Sequence, residues 1–262
     1  MNHPLPYAAN CSILFTELPL LARPAAARAA GFDAVEFWWP FATAAPADAD
    51  VEAFAAAVLD AGVRLTALNL AAGDMAGGDR GLISRPGREA EVADSIDIAA
   101  DLGKRLGTTA FNALYGLRLD GADPQEQDEL AVVNLRRAAT RLDGDVVLEP
   151  LSGVAAYPLR TAADALAVAD RVGEPSVRLL ADLYHLAVNG EDLAAVIERH
   201  ADRIGHVQIA DAPGRHEPGT GSLPIAEHLA ALARAGYGGH VGLEYVPSTT
   251  TAASFGWMQE QS

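Results

Sequence analysis

The chain has 262 residues, half of them apolar, and a formal net charge of −16. That length suits one large domain or two small ones. The charge excludes partners that need a basic face, nucleic acid and anionic membrane surfaces above all. The single cysteine, Cys11, excludes intrachain disulfides and thiolate metal clusters. No apolar run reaches the ~18–20 residues that a membrane-spanning helix needs. The first ten residues, MNHPLPYAAN, lack the basic start and apolar core of a secretory signal. A cytoplasmic enzyme is the expectation.

Short apolar runs alternate with Ala-rich helical stretches along the whole chain. Strands are predicted at 7–15, 34–39, 64–70, 108–115, 145–149, 177–184, 204–211 and 240–246. Helices are predicted at 17–30, 48–61, 86–106, 124–142, 161–172, 191–199 and 224–235, with 250–259 last. Gly31, Gly62, Gly107 and Gly173 follow helical stretches, as left-handed caps do. Pro86, Pro124 and Pro224 open others. Pro24 interrupts the first helix and predicts a late start. Eight βα units in this length match a (β/α)8 TIM barrel, read here as a single domain over 1–262. The alternative is an open doubly wound sheet. No GxGxxG follows the first strand, and eight units exceed what such a sheet usually holds.

Lys104 is the only lysine and falls in a helix, on a predicted solvated face. A Schiff-base enzyme would need a desolvated lysine. No Gly-rich phosphate loop ends in lysine either.

In a parallel barrel the site forms at the strands' C-terminal ends. Alternation along DVVLE points Val146 and Leu148 toward the helices and leaves Glu149 inward. VRLLAD ends on Asp182. In IGHVQIAD, Val207 and Ile209 face outward, His206 and Gln208 inward. VGLEY turns Glu244 inward. Four consecutive strands therefore aim Glu149, Asp182, Gln208 and Glu244 at one rim. Three carboxylates do not crowd together ionised without a cation or protons. Carboxylates with an amide carbonyl make a hard oxygen set, which favours Mg²⁺ or Mn²⁺ over zinc.

Other residues carry two readings. His185 either reaches a substrate oxygen or caps the next helix. Glu36 either orients a ligand or pairs with a core arginine. Trp38 and Trp39 either wall a pocket or pack the core. His206 reads as a satisfied core histidine, His200 and His228 as solvated, and His240 as lying at the barrel's bottom. The long loop after the third strand, 71–85, supplies Arg80 and Arg85, with Arg88 on the following helix. Arg215 lies on the loop after the seventh strand. An acidic protein with an anionic substrate needs local arginines of this kind.

The chain resembles the hydroxypyruvate isomerase family within the xylose isomerase-like TIM barrels, nearly end to end. The carriers are AANCSILF at 8–15, GFDAVEF at 31–37, NLAAGDMAGGDRGL and PGRE between 69 and 89, LEP at 148–150 and DLYH at 182–185. IGHVQIAD with EPGTG, and VGLEY at 241–245, complete them. The resemblance implies a divalent-metal isomerase of a short sugar acid. Glu149, Asp182, Gln208 and Glu244 match its metal positions; Glu149 and Glu244 also match its paired acid and base. Arg215 matches a substrate-contacting arginine of related ketose epimerases, which carry histidine where Gln208 stands. Asn69, His185 and Glu217 join Arg215 as substrate-binding candidates. Leu68 stands where the family tends to have histidine, and Ser222 where an acid is common. A related branch isomerises four-carbon 2-oxo acids. The rivals are a ketose 3-epimerase on the same site, a non-catalytic sugar-acid-binding barrel and an endonuclease of this barrel type. The expected partner is a small anionic sugar acid, and the oligomeric state is left open. Trp257 and Met258 suit packing on the barrel or a contact in a homo-oligomer.

Overall fold

A computed structural model describes residues 4–259. Eight parallel strands close on themselves in sequence order: β1 (Tyr7–Asn10), β2 (Ala34–Phe37), β3 (Arg64–Asn69), β4 (Ala110–Asn112), β5 (Asp145–Leu148), β6 (Val177–Asp182), β7 (Ile204–Ile209) and β8 (Val241–Leu243). The last pairs with the first through Tyr7 and Val241, Ala8 and Gly242, Ala9 and Leu243. This is the predicted TIM barrel.

Helices wrap the strands: α1 (Arg23–Ala29), α2 (Asp48–Ala61), α3 (Glu89–Leu106), α4 (Pro124–Arg141), α5 (Ala162–Val172), α6 (Leu183–Val188), α7 (Leu193–His200), α8 (Ile225–Arg234) and α9 (Gly256–Gln259). The outward strand residues Val146, Leu148, Val207, Ile209 and Leu243 are buried in one apolar cluster with the inner faces of these helices. Burying such aliphatic side chains contributes about 1.5–3 kcal/mol each, which makes this annulus the main source of stability. Trp257 packs edge-on against Tyr7 at 5.3 Å, so the C-terminal helix docks on its own barrel.

The structure redraws several boundaries. The sixth strand stops at Asp182 rather than Tyr184, and α6 begins at once. The cause is Asp182 Oδ1, which accepts the backbone N–H groups of Tyr184 (2.8 Å) and His185 (3.2 Å) and caps the helix. Pro24 sits in the first turn of α1, so the first helix starts late after a short 3-10 turn at Leu20–Ala22. The third helix starts at Glu89, three residues after Pro86. The last helical stretch divides into a 3-10 turn, Ala253–Phe255, and α9.

Candidate active site

Every strand delivers one buried polar side chain to the C-terminal rim. Asn10, Asn69, Asn112 and Asp182 close β1, β3, β4 and β6; Glu36 and Gln208 are next to last in β2 and β7; Glu149 and Glu244 directly follow β5 and β8. The rule applied to the last four strands holds for the first four. Asn10 and Asn112 were missed, although the same strand-end position marks them.

Glu149, Asp182 and His185 form the most compact group. One ligand-type atom from each lies within 4.8 Å of the other two. Glu149 Oε2 accepts from Asn112 Nδ2 at 2.7 Å. Burial, reinforced by Asp182, pushes the Glu149 carboxyl up to about 8. Asp182 spends Oδ1 on its helix cap, while Oδ2 is buried and accepts no hydrogen bond from the described residues. His185 Nδ1 accepts the backbone N–H of Ser152 at 3.1 Å, with Ser152 Oγ at 2.7 Å. A backbone N–H can only donate, so Nδ1 is the unprotonated nitrogen and the ring proton sits on Nε2. Nε2 lies 3.9 Å from Glu149 Oε1 and 3.7 Å from Asp182 Oδ2. Burial lowers the imidazole pKa and keeps the ring neutral. In this tautomer His185 presents an N–H to the site rather than a lone pair for a metal.

Glu244 lies beside this group, held by three donors. Oε1 accepts from Arg215 Nη2 at 2.7 Å; Oε2 accepts from Asn10 Nδ2 at 2.9 Å and Gln208 Nε2 at 2.5 Å. Burial and then Glu149 raise its pKa well above the carboxylate range. The same two amide nitrogens also donate to Glu36 Oε1, at 2.9 and 2.8 Å. Glu36 Oε2 meets His206 Nε2 at 2.7 Å. Two amides in parallel thus tie Glu36 to Glu244. Among the described residues no arginine takes part in holding Glu36, and His206 is the satisfied core histidine the sequence suggested. Gly242 makes room for this, since a Cβ there would lie 2.4 Å from both Glu36 carboxylate oxygens. With its N–H₂ committed, Gln208 leaves Oε1 buried and without a hydrogen bond from the described residues.

Two orphaned buried acceptors, Asp182 Oδ2 and Gln208 Oε1, beside two carboxyls of raised proton affinity make an electron-rich oxygen set that a cation would satisfy. The residues present fit a divalent metal on that ground.

Arg215 reaches in from the loop after β7. Its Nη2 is 4.0 Å from Asp182 Oδ2, and its guanidinium lies over the Tyr184 ring, 5.5 Å from the centroid. The loop is set by buried Asp211, whose carboxylate accepts the N–H groups of Ala212, Gly219, Gly221 and Leu223 at 2.8–3.0 Å. Glu217 does not join the cluster. Its carboxylate is spent on Ser248, at 2.9 Å to the backbone N and 2.5 Å to Oγ, and so ties this loop to the segment after β8. Above the carboxylates opens a cleft of about 540 Å³, walled by Trp38, Asn69, Arg80, Leu151, His185 and Arg215.

The chain belongs to the xylose isomerase-like TIM barrel family, whose pattern matches residues 24–261. Within it the chain falls among the hydroxypyruvate isomerases. It is 53% identical to a Streptomyces coelicolor protein named "Putative hydroxypyruvate isomerase", over 95% of this chain and 94% of that one. It is 36% identical to the Escherichia coli hydroxypyruvate isomerase, over 97% and 98%. A solved structure from Brucella melitensis, named as an AP endonuclease of family 2, is 33% identical with a TM-score of 0.89, over 98% of each chain.

Proposed function

We propose that this chain interconverts a short 2-oxo hydroxy acid and its carbonyl isomer by proton transfer between two glutamates. Hydroxypyruvate and 2-hydroxy-3-oxopropanoate are the three-carbon case, a 2-oxo-tetronate the four-carbon one. The observation that carries the reading is the pair of buried carboxyls, Glu149 and Glu244, held at one rim with raised proton affinity. A carboxyl that titrates near neutrality can both take and give a proton at working pH.

Glu149, Asp182, Gln208 and Glu244 would hold Mg²⁺ or Mn²⁺, as hard oxygen donors do. When bound, the ion supplies Lewis-acid polarisation of the substrate carbonyl and offsets the crowded negative charge. One glutamate removes the proton α to the carbonyl, and its counterpart returns a proton to the adjacent carbon. Arg215, 2.7 Å from Glu244, favours that carboxyl's charged form. The His185 Nε2–H donates to a substrate oxygen, fixed in direction by Ser152. The net charge of −16 sets this chain apart from a nuclease, which must bind a polyanion.

The test is proton NMR of the protein with Mg²⁺ or Mn²⁺ in D₂O, with three- and four-carbon hydroxy-oxo acids and with fructose and tagatose. Isomerisation of an oxo acid with solvent deuterium at the exchanged carbon is expected. Turnover of the ketoses alone would replace the reading with a 3-epimerase. Binding without deuterium uptake would leave a sugar-acid-binding barrel.

A further inference from the structure

We propose that Arg80 grips the substrate's carboxylate and so selects an oxo acid over a neutral ketose; the proposal rests on the proton-transfer reading above. Two arginines line the cleft, Arg80 and Arg215. Arg215 is already committed, 2.7 Å from Glu244 and 4.0 Å from Asp182. The nearby Arg85 and Arg88 are also paired, with Asp79 and with Asp79 and Glu91. Among the described residues Arg80 has no carboxylate partner. Its Nη1 donates to the backbone oxygens of Met75 (3.0 Å) and Asp79 (2.6 Å). Its Nε and Nη2, the edge that takes a carboxylate side-on, carry no hydrogen bond from the described residues. Such a fork matches a planar carboxylate bidentately.

The arginine is also built into place. Its backbone oxygen accepts the Gly116 N–H at 3.0 Å, and the Gly81 N–H donates to Ala72 at 3.0 Å. Gly81 has φ +107°, and a Cβ there would stand 1.9 Å from the Leu114 oxygen. The 71–85 loop is therefore pressed onto the segment after β4, with Arg80 fixed at the contact. Charge completes the case. Arg80 is the cleft cation that, among the described residues, pairs with none of Glu149, Asp182 and Glu244, so its charge is left for an incoming carboxylate, whereas Arg215 faces two of them. An oxo acid bound with its carbonyl end at the acids directs its carboxylate to Arg80. A ketose offers a hydroxyl there and forfeits the charge-assisted pair.

The experiment compares wild type, Arg80→Met and Arg80→Lys, each checked for an unchanged thermal midpoint. Kinetics use hydroxypyruvate and the neutral pair dihydroxyacetone and glyceraldehyde. Binding of glycerate and of glycerol is read from tryptophan fluorescence, since Trp38 lines the cleft. Arg80→Met should raise the KM for hydroxypyruvate by about 10–100-fold with kcat within about threefold, the pattern of lost ground-state binding. It should weaken glycerate equally and leave glycerol and the neutral pair unchanged. Arg80→Lys keeps the charge without the fork and should fall between. Turnover of hydroxypyruvate with an unchanged KM in Arg80→Met would overturn the proposal. If wild type isomerises no oxo acid, the proton-transfer reading fails and glycerate decides alone. Weakened glycerate binding in Arg80→Met would then support the anion grip, and equal binding would overturn it.

Discussion

At the scale of single residues, burial governs chemistry. Glu149 and Glu244 are nearly inaccessible to water, and burial raises the proton affinity of both, reinforced by Asp182 at Glu149 and by Glu149 at Glu244. Glu149→Gln or Glu244→Gln should lower kcat by about 10²–10⁴-fold, the usual worth of a positioned acid or base. For Glu149→Gln the thermal midpoint of the metal-free protein should hold or rise, because a repelled buried acid that accepts a single side-chain hydrogen bond has been removed. Steady-state kinetics and a melting curve check both, and undiminished turnover would refute the roles. Cys11 shows the opposite use of burial. It is fully buried, its Sγ lies 3.9 Å from the Arg23 oxygen, and burial pushes the thiol pKa up. Thiolate is the reactive form. The native protein should therefore ignore a thiol reagent that titrates one sulfhydryl once guanidinium is added.

At the scale of elements, the site is a joint between strands rather than a property of any one. Glu36 on β2 reaches Glu244 after β8 only through Asn10 on β1 and Gln208 on β7. Each amide donates both hydrogens, one to each carboxylate, which fixes the amide's orientation and directs Gln208 Oε1 elsewhere. Glu36→Gln would replace an all-acceptor group with one that also donates, so one buried donor loses its partner at a cost of about 1–3 kcal/mol. With Glu244 no longer held in register, kcat should fall about 10–100-fold while KM moves little. A fall confined to thermal stability, with kcat intact, would show that the network only supports the barrel.

At the scale of the whole molecule, the annulus of aliphatic side chains outside the strands carries stability, and the polar rim works against it. A divalent ion would reverse that balance. At a hundred times its Kd, Mn²⁺ should stabilise the fold by about 2.7 kcal/mol. For a chain of this size that is a rise of roughly 5–10 °C in Tm, abolished by EDTA. The pH dependence follows from Glu149. Burial pushes its folded pKa up to about 8, from the ordinary glutamate value of 4.5. In the metal-free protein its contribution to stability is therefore full below about pH 4.5 and is lost as pH rises through 8. Metal binding must displace that proton, so Mn²⁺ affinity should climb as pH rises toward about 8. Calorimetric titration at several pH values would show this; an affinity flat in pH would exclude Glu149 as a ligand. Among the described residues no helix is long and apolar enough to cross a membrane.

The sequence by itself determined the barrel and the strand-end positions, because both are written in local periods. Apolar residues alternating along short runs, with Ala-rich helices between them, dictate βα units. The parity of the alternation turns Glu149, Gln208 and Glu244 inward, and its place at the end of the sixth strand marks Asp182. The overlong sixth strand shows where local reading ends, since a side-chain cap at Asp182 competes with the strand pattern. Only the tertiary structure decided what each inward group meets. Asn10 and Glu244 are 234 residues apart and bond because β8 closes against β1. The proton on His185 is set by Ser152, 33 residues away. Glu217, in the same loop as Arg215, turns to Ser248 instead of the cleft. Among the described residues Arg80 meets only backbone oxygens, while Arg85 and Arg88 find acids. Such pairings depend on distances fixed by ring closure and loop packing, and no period of a single segment encodes those distances.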